Sequence, residues 1–118
     1  LVLSQLRFPS VAGDAAAGKA KYDMFCLSCH GATGKGDGPV GAALNPKPRA
    51  FSTGDFKFDA DKDGTIGTDE DLSLVIKQGG SAFGGNPVMV PWLQLTDEDV
   101  PNLIAYIRTL ATTETTGE

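Results

Sequence analysis

Five residues, CLSCH at positions 26–30, constrain this 118-residue chain more than any others. They contain both of its cysteines and its single histidine. On a helix, side chains three and four positions apart share a face. Cys26 and Cys29 therefore fall on one turn, with His30 directly after. A thioredoxin-like thiol pair has the same spacing but needs a βαβ setting, and none is visible. Half of a zinc site has it too, but zinc takes about four ligands and no second Cys or His cluster exists. CxxCH is the attachment motif for c-type haem. Two thiols on one turn can each add to a vinyl group of the same porphyrin, and the next imidazole then ligates the iron. Cys26, Cys29 and His30 are the candidate cofactor-binding residues, with His30 as proximal iron ligand.

The length fits one domain, spanning 1–118. Fifteen Gly and seven Pro imply much loop and a modest core. A short chain of this kind gains from a cofactor that adds apolar surface to bury. The net charge of −5 argues against nucleic acid, which calls for a basic face. No apolar run approaches the roughly 20 residues of a membrane span. LVLSQLRF at the start is too short for a signal peptide and lacks a basic leader, so the chain reads as a mature form.

Residues 1–13 read as an extended tail and 112–118 as a polar tail. Asp14 is placed to cap a first helix that runs into the cysteines, with Gly18, Tyr22 and Phe25 on one face. Gly31–Gly41 reads as a loop, with a short helical turn near Pro39–Leu44. Asn45–Ser52 reads as extended, and Phe51, Phe56 and Phe58 as core candidates. Thr68 should cap a second helix, Asp69–Gln78, stopped by Gly79 and Gly80. After a Gly/Pro-rich loop, Thr96 should cap a third helix through about Leu110, with Leu103, Tyr106, Ile107 and Leu110 as its apolar stripe.

Haem iron usually takes a second axial ligand, and no other histidine is present. Met24 lies two residues before Cys26 and cannot easily reach the opposite haem face, so it reads as core packing. Met89, in GGNPVMVPW just before the third helix, can fold over the distal side. A buried hydrophobe at Met89, a lysine ligand or an open position are the alternatives. Tyr22, Phe25, Leu44, Phe51, Trp92 and Leu95 are candidate pocket walls.

The ordered set CLSCHGATGKGDGP, LNPKPRAF, TDEDL, VMVPW and AYIRTL resembles the small monohaem class I cytochromes c of bacteria, over about residues 14–110. The resemblance implies an all-α fold, with about three to five helices and long loops wrapped around one covalently bound haem. It implies a terminal helix pair crossing at Gly18 and Tyr22 against Tyr106, with Pro39 offering its carbonyl to the proximal imidazole. It makes Met89 the distal ligand, although Val90 stands where the family often has proline. With His30 and Met89 as axial ligands, no position is open to a substrate. The expected activity is one-electron transfer in a respiratory or related redox chain, by a carrier rather than an enzyme. Its partners would be redox proteins, met as a monomer or in transient complexes. Covalent haem attachment places it in the periplasm or another extracytoplasmic compartment. The alternatives are a catalytic or sensing haem protein, with Met89 displaced by a small ligand, and a calcium-binding module with an incidental Cys pair.

DADKDGTIGTDE, residues 59–70, raises a separate expectation. It fits the calcium-loop pattern, with Asp59, Asp61, Asp63, the Thr65 carbonyl and Glu70 at ligand positions and Gly64 at the turn. The preceding FSTGDFKF reads as extended rather than helical, so only half of the usual scaffold is present. The expectation is a structural calcium ion at most, and the competing reading is a solvated acidic turn before a helix.

Overall fold

The computed structural model describes residues 13–54 and 56–115, and the side chains of that set up to Ala111. The expected tail at 1–12, Asp55 and residues 116–118 lie outside the described residues. The architecture is all-α: α1 (Ala15–Phe25), α2 (Leu27–His30), α3 (Asp69–Gln78) and α4 (Asp99–Thr115), with single 3₁₀ turns at Gly41–Ala43 and Gly80–Phe83. No strand occurs among the described residues.

α1 starts where Asp14 accepts hydrogen bonds from the N–H groups of Ala16 and Ala17. Cys26 interrupts the helix (φ −120°), and α2 restarts for a single turn before Gly31 turns the chain away at φ 88°. The helix therefore meets the cysteine segment with a break rather than as one rod. α4 continues to Thr115, beyond the expected end near Leu110, so residues 112–115 belong to the helix rather than to a tail.

α1 and α4 cross at Gly18, where a β-carbon would run into the Asn102 carbonyl. Backbone approaches backbone there because nothing stands between them. The Asp14 N–H donates to Asn102 Oδ1 at 2.8 Å, fixing the same crossing from the helix end. Tyr22, fully buried, meets Tyr106 edge-on at 5.2 Å and Phe51 at 6.4 Å. The buried stripe of α4 is Val100, Leu103, Ile104, Ile107 and Leu110, wider than expected, with Tyr106 half-buried at its border. Each such aliphatic side chain stabilises the fold by ~1.5–3 kcal/mol relative to exposure.

α3 is fixed at its start by a reciprocal cap. The Asp71 N–H donates to Thr68 Oγ1, and the Thr68 N–H donates to Asp71 Oδ2. Thr96 and Asp99 repeat the exchange ahead of α4. Arg108 ties α4 to α3: it donates to Asp69 Oδ1 and to the Gly67 carbonyl, and lies over the Phe56 ring. Met24 departs from the expected core packing and is 67% exposed. It sits two positions from Tyr22, about 200° around the helix, so burying Tyr22 turns Met24 outward.

Candidate functional site

A cavity of about 420 Å³ lies between the cysteine segment, the 44–58 linker, α3 and the 80–92 loop. Small-molecule and cofactor sites typically measure ~300–1,000 Å³. Phe25, Leu44, Phe51, Trp92, Leu72 and Ile76 are among the apolar groups on its wall. Cys26, Cys29, His30 and Met89, four residues singled out from the sequence, line it together.

His30 is held on two sides. Its ring stacks on Phe51 with centroids 4.3 Å apart and 14° between planes. Its Nδ1 lies 2.9 Å from the Arg49 carbonyl oxygen. A carbonyl only accepts, so Nδ1 carries the proton and Nε2 keeps its lone pair. Burial lowers the imidazole pKa, against the opposing pull of the Arg49 carbonyl, which favours the neutral, ligating form. The acceptor is Arg49, not Pro39 as the resemblance implied. The Gly38 and Val40 N–H groups bond the Cys29 and Ser28 carbonyls, which holds 38–40 against the α2 backbone. Pro48–Arg49 passes the ring instead, close to Gly36, where a β-carbon would meet the Pro48 carbonyl.

Cys26 and Cys29 are free thiols. Burial, aided by Cys29, pushes the Cys26 thiol up to about 12. Thiol exchange needs an accessible thiolate, so Cys26 is a poor redox nucleophile.

Met89 is positioned through its backbone. Its carbonyl accepts from Gly80 N–H at 2.7 Å and its N–H donates to the Asn86 carbonyl at 3.0 Å. Gly79 makes this possible: its φ is 89°, and a β-carbon there would lie 2.9 Å from the Met89 oxygen. Asn86 Nδ2 reaches the Pro46 carbonyl, and the Trp92 N–H bonds the Ile76 carbonyl. The Met89 loop is thus tied to both the linker and α3.

A sequence model of the cytochrome c family matches residues 15–111. The chain belongs to the cytochrome c family. It is 36% identical over 102 residues to cytochrome c-554(547) of Halothiobacillus neapolitanus, covering 84% of this chain and 99% of that protein. It is 33% identical over 96 residues to cytochrome c-554(548) of Halomonas halodenitrificans, covering 80% and 94%. Its fold is similar to a chain of a reducing HAO-like protein complex of Kuenenia stuttgartiensis, with TM-score 0.68 and 33% identity over 82% of this chain. The match spans 42% of that chain. As a cytochrome c, the protein serves haem-based electron transfer.

The cavity fits the cofactor of that family. Two free thiols, a neutral imidazole with a free Nε2, and a thioether share one apolar wall. Arg49 Nε, on the same wall, is buried without a hydrogen-bond partner. Among the described residues, no helix of this cytochrome is long and apolar enough to cross a membrane.

Two expected wall residues stand elsewhere. Tyr22 and Leu95 are buried in the core behind the cavity, and Tyr22 donates its hydroxyl proton to the Gly31 carbonyl at 2.6 Å. In the acidic loop the expected ligand set is only partly brought together. Asp59 accepts from the Asp63 and Gly64 N–H groups, Asp61 accepts from Asp63, and Asp63 accepts from Thr65. The carboxylates that approach within 4.8 Å of one another are those of Asp59, Asp61 and Asp71, not those of Asp63 or Glu70. Asp71 is 1% exposed and also lines the haem cavity. Desolvation works to raise its pKa, but the N–H groups of Thr68 and Asp61 and the Thr68 hydroxyl hold it below the usual range. Asp61 is raised to about 6, first by lost solvation and then by the carboxylates around it.

Sequence reasoning missed Arg49 and Asp71 as site residues. Arg49 follows Pro48, and a Pro-rich extended stretch leaves carbonyls unused by helix, which is the signal for an acceptor. Asp71, three residues after Thr68, carried the capping-box spacing that buries it.

Proposed function

We propose that this cytochrome c carries single electrons between redox partner proteins of a respiratory or related chain in the periplasm or another extracytoplasmic compartment. Cys26 and Cys29 hold the haem through thioethers, and His30 and Met89 are its axial iron ligands. The supporting observation is that His30, with its Nε2 free, and Met89 line the same apolar cavity. Bound there, the haem supplies a one-electron Fe(III)/Fe(II) couple.

The protein's part is positioning and electrostatics. The Arg49 carbonyl fixes the His30 tautomer, which sets the basicity of the ligand. Met89 offers a soft thioether, which raises the potential relative to a second imidazole. The apolar wall disfavours the extra charge of Fe(III). With both axial positions held by side chains, the site suits a carrier rather than an enzyme. The whole of 1–118 serves this one domain. The net charge of −5 suits a partner with a basic or neutral docking face, met in brief encounters.

The test is Met89→Ala. The native reduced protein should resist CO, and its oxidised form should show the thioether–iron charge-transfer band. The variant should lose the band and bind CO. A native protein that binds CO readily, or a variant spectrally identical to it, refutes Met89 ligation. Calcium enters this reading only as a structural ion at Asp59, Asp61 and Asp71, the carboxylates that approach one another. A melting midpoint unchanged by chelator ends that part alone.

A further inference from the structure

Asp71 is the one carboxylate residue on the wall of the haem cavity among the described residues. It is 1% exposed. A carboxyl taken out of water ordinarily keeps its proton. Two backbone donors keep this one charged: Oδ1 accepts from the Asp61 N–H at 3.2 Å and Oδ2 from the Thr68 N–H at 3.0 Å. The first turn of α3 adds a helix dipole that favours an anion. Capping a helix does not by itself require an unpaired charge. Asp99 makes the same exchange with Thr96 ahead of α4, yet it is half-buried, stands off the cavity wall and has Lys21 Nζ 3.7 Å from its carboxylate. Among the described residues no lysine or arginine pairs with Asp71. The cations on the cavity wall stand closer to water: Lys47 and Lys57 are exposed and Arg49 is half-buried. Water and salt screen exposed charges much more than buried ones.

We infer that the Asp71 carboxylate is a fixed, unpaired anion beside the haem that holds its reduction potential down. The inference rests on the reading that haem occupies the cavity. Reduction of Fe(III) to Fe(II) removes one positive charge from the site. A buried anion on the wall stabilises the more positive state, so it opposes reduction. It works against the Met89 thioether and the apolar lining, which favour Fe(II). Two unit charges roughly 10–12 Å apart, at an effective dielectric of ~20, change an equilibrium about tenfold. Asp71 thus joins two tasks: it closes the cap of α3, and its charge trims the couple.

The experiment is an equilibrium redox titration of the holoprotein at about pH 8 with EDTA throughout, native against Asp71→Asn, Asp71→Glu and Thr68→Ala. At that pH the neighbouring Asp61, which titrates at about 6, is ionised, and the chelator keeps divalent ions off the acidic loop. Haem content and melting midpoint are recorded for each. Asp71→Asn should shift the Fe(II)/Fe(III) ratio at fixed potential about tenfold toward Fe(II), a rise of ~59 mV for one electron. Asp71→Glu keeps the charge and should stay within about twofold of native (~18 mV by the same constant). Thr68→Ala weakens the cap and keeps the charge, so it should lower the melting midpoint without raising the potential. The sign separates charge from structure, because loosening α3 lets water into the cavity, which favours Fe(III) and lowers the potential. Full haem content with the Asn variant unchanged or below native overturns the inference and leaves haem binding intact. A rise in Asp71→Glu or Thr68→Ala equal to that in Asp71→Asn overturns it too. A native protein that carries no haem overturns both readings. Should the Asn variant fail to fold, redox-difference infrared spectra of the native protein decide, with aspartate carboxyls labelled with carbon-13. A carboxylate band displaced by the label supports the coupling, and its absence refutes it.

Discussion

Gly18→Ala sets two effects of opposite sign against each other. On propensity alone the change helps, because alanine in a helix interior is worth ~1 kcal/mol over glycine. Gly18 is buried, however, and the new β-carbon would collide with the Asn102 carbonyl and lie 2.9 Å from the Leu103 nitrogen. Both are backbone atoms of α4, so no side chain can swing aside. α4 must move outward to restore ordinary contact. That shift loosens the Tyr22–Tyr106 contact, the burial of Leu103 and the bond from Asp14 to Asn102. Overpacking costs ~1–3 kcal/mol, and a backbone clash belongs at the upper end. After the propensity gain, the net loss is about 2 kcal/mol. For a domain of this size that lowers the melting midpoint by about 8 °C. The assay is thermal unfolding of the holoprotein by far-UV circular dichroism, with Ala20→Gly on the exposed face of α1 as calibration for propensity. A Gly18→Ala midpoint equal to or above native would refute the close crossing.

Tyr22→Phe removes the hydroxyl that bonds the Gly31 carbonyl. The Gly34 N–H also donates to that carbonyl, so the loss should stay near ~1 kcal/mol, read as a lower urea midpoint with unchanged slope. The acidic loop gives a pH prediction. The Asp61 pKa is raised in the folded state to about 6, so the native state binds more protons than the unfolded chain between the ordinary carboxylate range and 6. Its contribution to stability therefore grows as pH falls through 6. The lowered Asp71 works the other way: its stabilisation is present above the ordinary carboxylate range and is lost as pH falls through its depressed folded value. Denaturant midpoints measured from neutral to acid pH should show the first rise in the native protein and not in Asp61→Asn. A native profile that matches the Asn variant refutes the Asp61 shift.

The helices were legible because their signals are local. Thr68 and Asp14 announced their helix starts, and both caps are made by the atoms expected. The Gly18–Tyr22 spacing announced the face that meets α4. Of the candidate site, the side chains Cys26, Cys29, His30 and Met89 could be named from the sequence, and the fold brings all four to one cavity. The site was not legible where the backbone does the work. Any of several carbonyls could have faced His30 Nδ1, and residue type does not rank them. Pro39 was implied by resemblance, yet the pairing of Gly38 and Val40 with α2 keeps that stretch off the ring. The calcium pattern is met only in part, with Asp59 and Asp61 beside Asp71 rather than Asp63 or Glu70, for a related reason. It assigns ligands by position along the chain, whereas the carboxylates are recruited by whichever N–H groups the fold leaves free.

The backbone acceptor at His30 also bears on which substitutions can matter. Side-chain replacement at residue 49 leaves the carbonyl in place, so the imidazole keeps its tautomer while the charge beside the cavity changes. Backbone displacement does the reverse. Gly36, at φ 78°, has no room for a β-carbon because the Pro48 carbonyl stands 2.8 Å from that position. A side chain there would push the 48–49 segment away from His30 and leave the Arg49 charge intact. The two perturbations separate the ligand's basicity from the electrostatics of its surroundings. A single residue at 49 can therefore be altered in charge by its own mutation and in reach by its neighbour's.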